Sequence, residues 1–407
     1  YMLWIMLFLR RRKVLDYQYF EQQADQKDRV YEMVGGMTEI KQQGCEQRKR
    51  QQWRQIQDSI FGISRRALAL SQTEEAGGIC INELTSIVVI IITATAVIDG
   101  SLTLGMMLAI QGVIGQLRGP LDDIMDMAYQ WQDVNISMER IDEIHAMDDE
   151  ETAQRHVTAV ADISIHLEHV SFKYDRMKST NILDDITLDR PQGRVTAIVG
   201  TSGSGKTTLA KLILGHYAPL QGHIDVGGTP LGSISLAWWR RQCGVVMQDG
   251  RLFEESIAQN IALGYDEIDP DRIEYAAHMA NILDYIDQLP MGFDTILYQG
   301  GQNLSNGQRQ RLLIARDIYR MPRLFVFDEA TNSLDTNNET AIVNNLQEVF
   351  HDKTVVLIAH RLSTVRHADN IVVLHQGRIA EQGTHQELVQ RRGMYYELVK
   401  NQLDIEE

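Results

Sequence analysis

A short apolar run, Val195-Thr-Ala-Ile-Val199, leads straight into Gly200-Thr-Ser-Gly-Ser-Gly205-Lys206-Thr207, and a helical pattern follows from Thr208. No other stretch restricts the fold of the chain so sharply. The spacing G-x-x-x-x-G-K-[ST] between a strand and a helix reads as a phosphate-binding loop. Glycines let the backbone N–H groups of Gly200, Thr201, Ser202, Gly203, Ser204 and Gly205 turn toward one anion, and the helix opening at Lys206, Thr207 and Thr208 adds its positive end. Lys206 brings a cation to the outer phosphates, and Thr207 offers its hydroxyl to magnesium. Average residue frequencies put a chance match at roughly one chain of this length in a hundred. From about residue 163 onward short apolar strands alternate with helical patterns, so the expected fold there is α/β with a parallel sheet and crossover helices.

Two further strand ends carry candidate chemistry. Leu324-Phe-Val-Phe327 is a buried-strand pattern that closes on Asp328 and Glu329. Alone, two acids at a strand end fit a solvated terminus; beside a phosphate loop, Asp328 would hold magnesium and Glu329 would polarise the attacking water. His360 ends the run Thr354-Val-Val-Leu-Ile-Ala359, where an imidazole could reach a terminal phosphate or serve structure alone.

Upstream the pattern changes character. Leu84 to Ile98, LTSIVVIIITATAVI, has no charge and reads as one membrane span. Asp99-Gly100 makes a polar turn, and Ser101 to Leu117 is again uncharged, a weaker returning span before Arg118-Gly119-Pro120 interrupts it. A buried hairpin of a soluble protein is the alternative, favoured by Gly105, Gln111, Gly112, Gly115 and Gln116, although core helices seldom run so long without charge. Arg10 to Lys13 and Arg118 mark a cytoplasmic side, which turns Asp99-Gly100 outward. Glu83 reads either as lining a polar pathway or as an interfacial carboxylate. Tyr1 to Leu9 is too short to span a bilayer and reads as the tail of a membrane helix rather than a signal peptide, since no charged region precedes it.

Between Lys13 and Gly78 a Gln-, Glu-, Arg- and Lys-rich stretch without proline predicts long helices, which Gly35-Gly36 and Gly44 could turn. Leu121 to Met147 continues a helical pattern. The expected division is therefore a helical membrane region over 1–147, a linker over 148–162 and an α/β domain over 163–407. With 39 Lys+Arg against 55 Asp+Glu, the net charge of -16 argues against a nucleic-acid partner. Cys45, Cys80 and Cys243 lie far apart and read as free thiols, without the spacing of a zinc site or disulfide framework.

Leu304-Ser305-Asn306-Gly307-Gln308, followed by RQRLLIARDIYR, narrows the class. Here the chain resembles the ATP-binding cassette family, whose signature LSGGQ it matches at four of five positions, with Asn306 in place of the first paired glycine. Tyr174 in FKY is similar to the family's adenine-stacking aromatic, Gln248 in VMQDGRLF to its magnesium-contacting glutamine, and Ser333-Leu334-Asp335 to its acidic loop after the catalytic glutamate. The resemblance implies a P-loop NTPase domain with a helical subdomain, using ATP and Mg2+, with Glu329, His360 and Gln248 as catalytic residues. Ser305, Gly307, Gln308 and Asp335 would complete the nucleotide site across a two-cassette interface, because the signature is expected to serve another chain's ATP.

Upstream, IDGSLTLGMMLAIQGVIGQLRGPL is similar to the last helix pair of half-transporter exporters, and GGMTEIKQQGCE resembles the bend where an intracellular helix meets a cassette. The chain would then hold the end of a fourth membrane helix plus the fifth and sixth. The implied protein is a multi-pass exporter of the cell inner membrane with its cassette in the cytoplasm. Its partners would be membrane lipid and a second copy or a paralogous half-transporter. The wording of GRIAEQGTHQELVQRRGMYYELV leans toward bacterial peptide or bacteriocin exporters that begin with a cysteine peptidase. Lipid or drug export, a regulatory membrane-bound cassette and a soluble cassette ATPase are the alternative readings.

Overall fold

The computed structural model describes residues 2–147, 149–151, 155–175, 180–247, 250–298, 301, 303–328, 330, 336–358 and 365–403. They form two compact units, Tyr1–Asp148 and Asp149–Glu407.

The first unit is helical. Helices α1 (Met2–Gly35), α2 (Met37–Gln42), α3 (Glu46–Ile98) and α4 (Leu104–His145) follow one another with short breaks. The expected turns fall where glycine permits them: Gly44, at φ 60, sits in the break before α3. Glu32, near the end of α1, is held by Arg29 and by Lys49 of α3, each at 2.7 Å, which ties the two arms of the bend. Farther along, the indole of Trp4 donates to the Glu74 carbonyl at 3.1 Å, and a Cβ at Gly77 would lie 2.3 Å from the same ring. Only glycine lets α1 approach α3 so closely there.

Among the described residues one helix, α3, is long and apolar enough to cross a membrane, and only 6% of its apolar stretch is buried within the unit. A core element of a soluble protein would be mostly covered, so the buried-hairpin alternative loses its main support. The expected return from Ser101 is shorter than the sequence pattern implies. Thr103 caps α4 by accepting the Met106 N–H at 3.3 Å, so the apolar helical stretch runs only from Leu104 to Leu117. Nor does Pro120 end the helix: α4 continues through it to His145. A proline removes one N–H donor and costs about 3 kcal/mol, which a long helix can absorb.

In the second unit two sheets share the core. The six-stranded sheet has the order β10-β9-β3-β8-β7-β6, built from β3 (Val195–Gly200), β6 (Cys243–Val246), β7 (Leu324–Asp328), β8 (Thr354–Ile358), β9 (Asn370–His375) and β10 (Arg378–Gly383). Its paired strands are parallel apart from the β10–β9 edge. Side chains alternate between its faces. Ala197, Val355 and Leu357 join the core under the helices, while Ile198, Val356 and Ile358 join the core under the second sheet. Burial on both faces is why these strands read as unbroken apolar runs.

The second sheet is antiparallel, with the order β2-β1-β4-β5, from β1 (Ile165–Phe172), β2 (Leu183–Arg190), β4 (Gln221–Val226) and β5 (Thr229–Pro230). Helix α5 (Lys206–Ile213) buries Leu209, Leu212 and Ile213, and α6 (Leu236–Gln242) buries Trp239, in the core that this sheet shares with the six-stranded one. On the opposite face, α7 (Ile257–Ile261), α8 (Pro270–Met279), α9 (Leu283–Asp287) and α10 (Asn306–Arg320) pack with the sheet around Ile273, Ala277, Ile286, Leu312 and Ile318.

Candidate functional site

The phosphate loop joins the carboxyl end of β3 to the start of α5, the edge where parallel α/β sheets bind ligands. Its glycines are structural requirements. A Cβ at Gly200 would lie 2.2 Å from the Leu374 carbonyl oxygen and 2.8 Å from Ser204 Oγ. Gly205, at φ 103, is the N-cap of α5 and leaves no room for a side chain, which would meet Leu183 Cδ2 at 2.7 Å. Because Gly205 brings no capping side chain, the first-turn N–H groups of α5 receive none, which is the condition for anion binding. Ser204 Oγ is buried and has no hydrogen-bond partner among the described residues.

Lys206 is buried, and its Nζ donates to the carbonyls of Gly200 and Thr201, both at 3.0 Å. The ammonium therefore lies folded across its own loop. A triphosphate would have to offer better acceptors than these two carbonyls, and charged oxygens do so. Thr201, Ser202, Gly203 and Thr207 are exposed at the rim of the loop. Thr208 is buried, with its hydroxyl 3.2 Å from the Tyr174 hydroxyl.

Tyr174, the expected adenine-stacking aromatic, stands 49% exposed beside this loop, and Phe172 and Tyr217 hold it edge-to-face at 5.1 and 5.2 Å. Tyr217 has no local motif, so sequence reasoning missed it. The three rings form one cluster next to Thr208.

Asp328 is buried at the end of β7. It pairs in register with Ile358 of β8, which pairs with Ile198 of β3. Its backbone therefore stands two strands, about 10 Å, from β3, at the same edge of the sheet as the phosphate loop. An exposed threonine hydroxyl and an acidic strand end form an all-oxygen donor set, which suits magnesium. Gln248, Glu329, Asp335 and His360 lie outside the described residues.

The signature forms the start of α10. Ser305 is the N-cap: its Oγ accepts the Gln308 N–H at 3.1 Å, while the Gln308 side-chain carbonyl accepts the Ser305 N–H at 2.8 Å. This capping box uses one acceptor lone pair of Ser305 Oγ and leaves its O–H to donate outward. Gly307 follows in the first turn. Asn306 is the first helical residue, is exposed and does not adopt a left-handed backbone. The position therefore asks for no conformation that only glycine favours, so asparagine meets the backbone requirement there. Asn306→Gly should change turnover by about twofold at most, a small helix-propensity effect, in a steady-state phosphate-release assay. A rise by orders of magnitude would show that the natural site is impaired.

Sequence reasoning also missed Asn260 and Arg316. Arg316 of α10 donates to Asn260 O at 2.8 Å, Asn260 Oδ1 at 3.1 Å and Arg251 O at 2.9 Å. Asn260 Nδ2 in turn donates to the carbonyls of Phe253, Glu255 and Ser256. This network pins the 251–256 loop, just past Gln248, to the helix that carries the signature. The next residue, Asp317, is buried; loss of solvent raises its pKa to about 6, opposed by the Val245 N–H and by Arg320 and Arg316.

Comparison with known proteins agrees with this geometry. Residues 183–332 match the ABC transporter family. The chain is 36% identical over 396 residues to the toxin RTX-III translocation ATP-binding protein of Actinobacillus pleuropneumoniae, covering 97% of this chain and 55% of that protein. It is 36% identical over 400 residues to the leukotoxin export ATP-binding protein LtxB of Aggregatibacter actinomycetemcomitans, covering 97% and 56%. Identity to the leukotoxin translocation ATP-binding protein LktB of Mannheimia haemolytica is 36% over 408 residues, covering 99% and 57%. The chain thus spans little more than half the length of these relatives. Among solved structures, a bacterial Atm1-family ABC exporter with ATP bound superposes with a TM-score of 0.92 at 29% identity, covering 98% of this chain and 71% of that one. With a phosphate loop, an acidic strand end and a capped signature helix on one α/β unit, and relatives of this kind along nearly its whole length, the chain belongs to the ABC transporter family and carries its ATPase domain.

Proposed function

We propose that this chain is part of a half-transporter exporter of the bacterial inner membrane, which couples ATP hydrolysis in the cytoplasm to outward movement of a polypeptide. Residues 1–147 would supply the last membrane helices, residues 148–162 a linker and residues 163–407 the cassette. One observation carries the reading: a single chain joins a phosphate loop to a span-length apolar helix that its own unit leaves uncovered. The names of the relatives, which concern toxin and leukotoxin translocation, support a polypeptide cargo over a lipid or a drug.

In this mechanism Lys206 leaves the Gly200 and Thr201 carbonyls for the outer phosphates of ATP, while the N–H groups of the loop and of α5 cradle them. Thr207 and Asp328, joined by Gln248, would hold magnesium, which offsets charge on the phosphate oxygens. Tyr174 supports the base. Glu329 accepts a proton from the attacking water, and His360 steadies the terminal phosphate. The Ser305 O–H and the first N–H groups of α10 reach that phosphate from a second copy, with Gln308 holding the cap and Asp335 lining the interface. Loss of the terminal phosphate removes the group that both copies grip, so the cassettes separate.

The test uses membranes from cells expressing the full chain. The protein should remain in carbonate-washed membranes and release phosphate from ATP only with magnesium, and added peptides should stimulate release more than phospholipids or hydrophobic drugs do. Recovery in the soluble fraction would remove the membrane reading. Stimulation by lipid or drug alone would replace the polypeptide cargo.

A further inference from the structure

Tyr217 lies outside every motif, yet it touches the ring that the mechanism above gives to the base. The ring centroid of Tyr174 is 5.1 Å from that of Phe172 and 5.2 Å from that of Tyr217. Both neighbours lie nearly perpendicular to it, at interplanar angles of 86° and 83°. Neither therefore stacks on Tyr174, and the residue keeps 49% of its surface open to a parallel partner. Its hydroxyl is held as well, 3.2 Å from Thr208 Oγ1. A ring packed against two others and hydrogen-bonded at its tip has little freedom to turn.

The backbone fixes Tyr217 from both directions. Before it, α5 ends on Gly215 at φ 72, and the N–H groups of Gly215 and His216 bond back to the Leu212 and Lys211 carbonyls at 3.0 and 2.9 Å. These two bonds make the glycine-terminated Schellman turn that closes a helix tightly. After it, the Leu220 N–H donates to the Ser171 carbonyl at 2.8 Å, which ties the segment to β1 one residue before Phe172. Phe172 is buried and meets Tyr217 at 5.4 Å. The helix whose start carries Lys206 and Thr207 thus presents Tyr217 just beyond its end.

We propose that Tyr217 is a positioning residue for the nucleotide: it sets the plane of Tyr174 so that a flat aromatic base stacks there. The inference rests on the reading of Tyr174 as the ring that supports the base. Stacking on an aromatic side chain needs its ring held open and parallel to the base, and any turning of the ring spends part of that gain. Without Tyr217 the ring of Tyr174 keeps Phe172 and Thr208 but loses one of its two perpendicular neighbours. A role in stability alone fits less well. Tyr217 is 43% exposed, and the core between the two sheets includes Phe172 but neither Tyr174 nor Tyr217. The phosphate loop is a separate structure, because the Lys206 ammonium is held by the Gly200 and Thr201 carbonyls. The effect of Tyr217 therefore falls on the base and not on the phosphates.

The test follows ATP hydrolysis by the full chain in membranes, with magnesium tripolyphosphate, which has phosphates and no base, as a competing inhibitor. Tyr217→Leu should raise KM for ATP about threefold to tenfold, the size of one aromatic pair, with kcat retained. Its inhibition by tripolyphosphate should match the wild type. Tyr217→Phe, which keeps the ring, should restore the wild-type KM. Tyr174→Leu should raise KM further than Tyr217→Leu does, and combining the two should add nothing, because a residue that acts through another has no separate effect once the other is gone. If Tyr174→Leu raises KM and Tyr217→Leu does not, the positioning role is wrong and Tyr174 still supports the base. Effects that multiply in the double variant would show that Tyr217 acts apart from Tyr174, and an equal loss of tripolyphosphate inhibition would show damage to the loop; either overturns the proposal. If Tyr174→Leu itself leaves KM unchanged, the base-stacking reading fails and the proposal falls with it.

Discussion

Lys206→Ala is expected to weaken ATP binding by about 3 kcal/mol, roughly a hundredfold, and to abolish measurable turnover. In the folded protein the ammonium makes two hydrogen bonds to loop carbonyls, and it must exchange both for phosphate oxygens when ATP arrives. Alanine removes the cation that compensates the densest negative charge in the complex. It also removes the tie that spans Gly200 and Thr201, so the empty loop should loosen. Titration with a fluorescent ATP analogue reads the first effect, and phosphate release reads the loss of turnover. Wild-type affinity in this variant would reject the loop as the phosphate site.

Glu329→Gln is expected to stop chemistry while leaving binding intact. The amide keeps the size of the side chain but is a poor base, and general bases contribute about 10²–10⁴ in rate. Because Asp328, the buried neighbour on β7, is untouched, the expected metal ligand survives. ATP would then be bound and not consumed. In the proposed composite site each ATP joins two cassettes, so this variant should accumulate as a dimer with ATP and magnesium, where the wild type passes through that state briefly. The second unit, which contains both hydrophobic core clusters, is a suitable fragment for sedimentation. Adding Ser305→Arg should return the dimer to monomer, because a bulky cation at the exposed N-cap of α10 would obstruct the partner's phosphate. Hydrolysis by Glu329→Gln at the wild-type rate would dismiss Glu329 as the base. ATP binding without dimerisation would dismiss the composite site.

Three core strands were legible from the sequence because each buries both faces. Val195–Val199, Leu324–Phe327 and Thr354–Ile358 are apolar at consecutive positions, and no half-exposed strand needs that. The long helices of the first unit and their turns at Gly35-Gly36 and Gly44 were legible for a related reason, since helix formers and breakers act through neighbours in the chain. The length of the second apolar helix was overstated. Hydropathy alone does not register that Thr103 caps a helix start, nor that Pro120 can sit inside one.

By itself, the sequence determined the phosphate loop and the signature, because both are contiguous and rest on local chemistry. Gly205 at φ 103 and the reciprocal Ser305–Gln308 cap are properties of a few adjacent residues and would form in almost any α/β surroundings. Only the tertiary structure decided what brings distant residues together. Asp328 stands level with Ile198 through the register of an intervening strand, Tyr217 meets Tyr174, and Arg316 binds Asn260 across fifty-six positions of chain. Such contacts follow from how two-faced strands and crossover helices share one buried volume, a constraint that acts on the whole unit at once and that no short window of sequence contains.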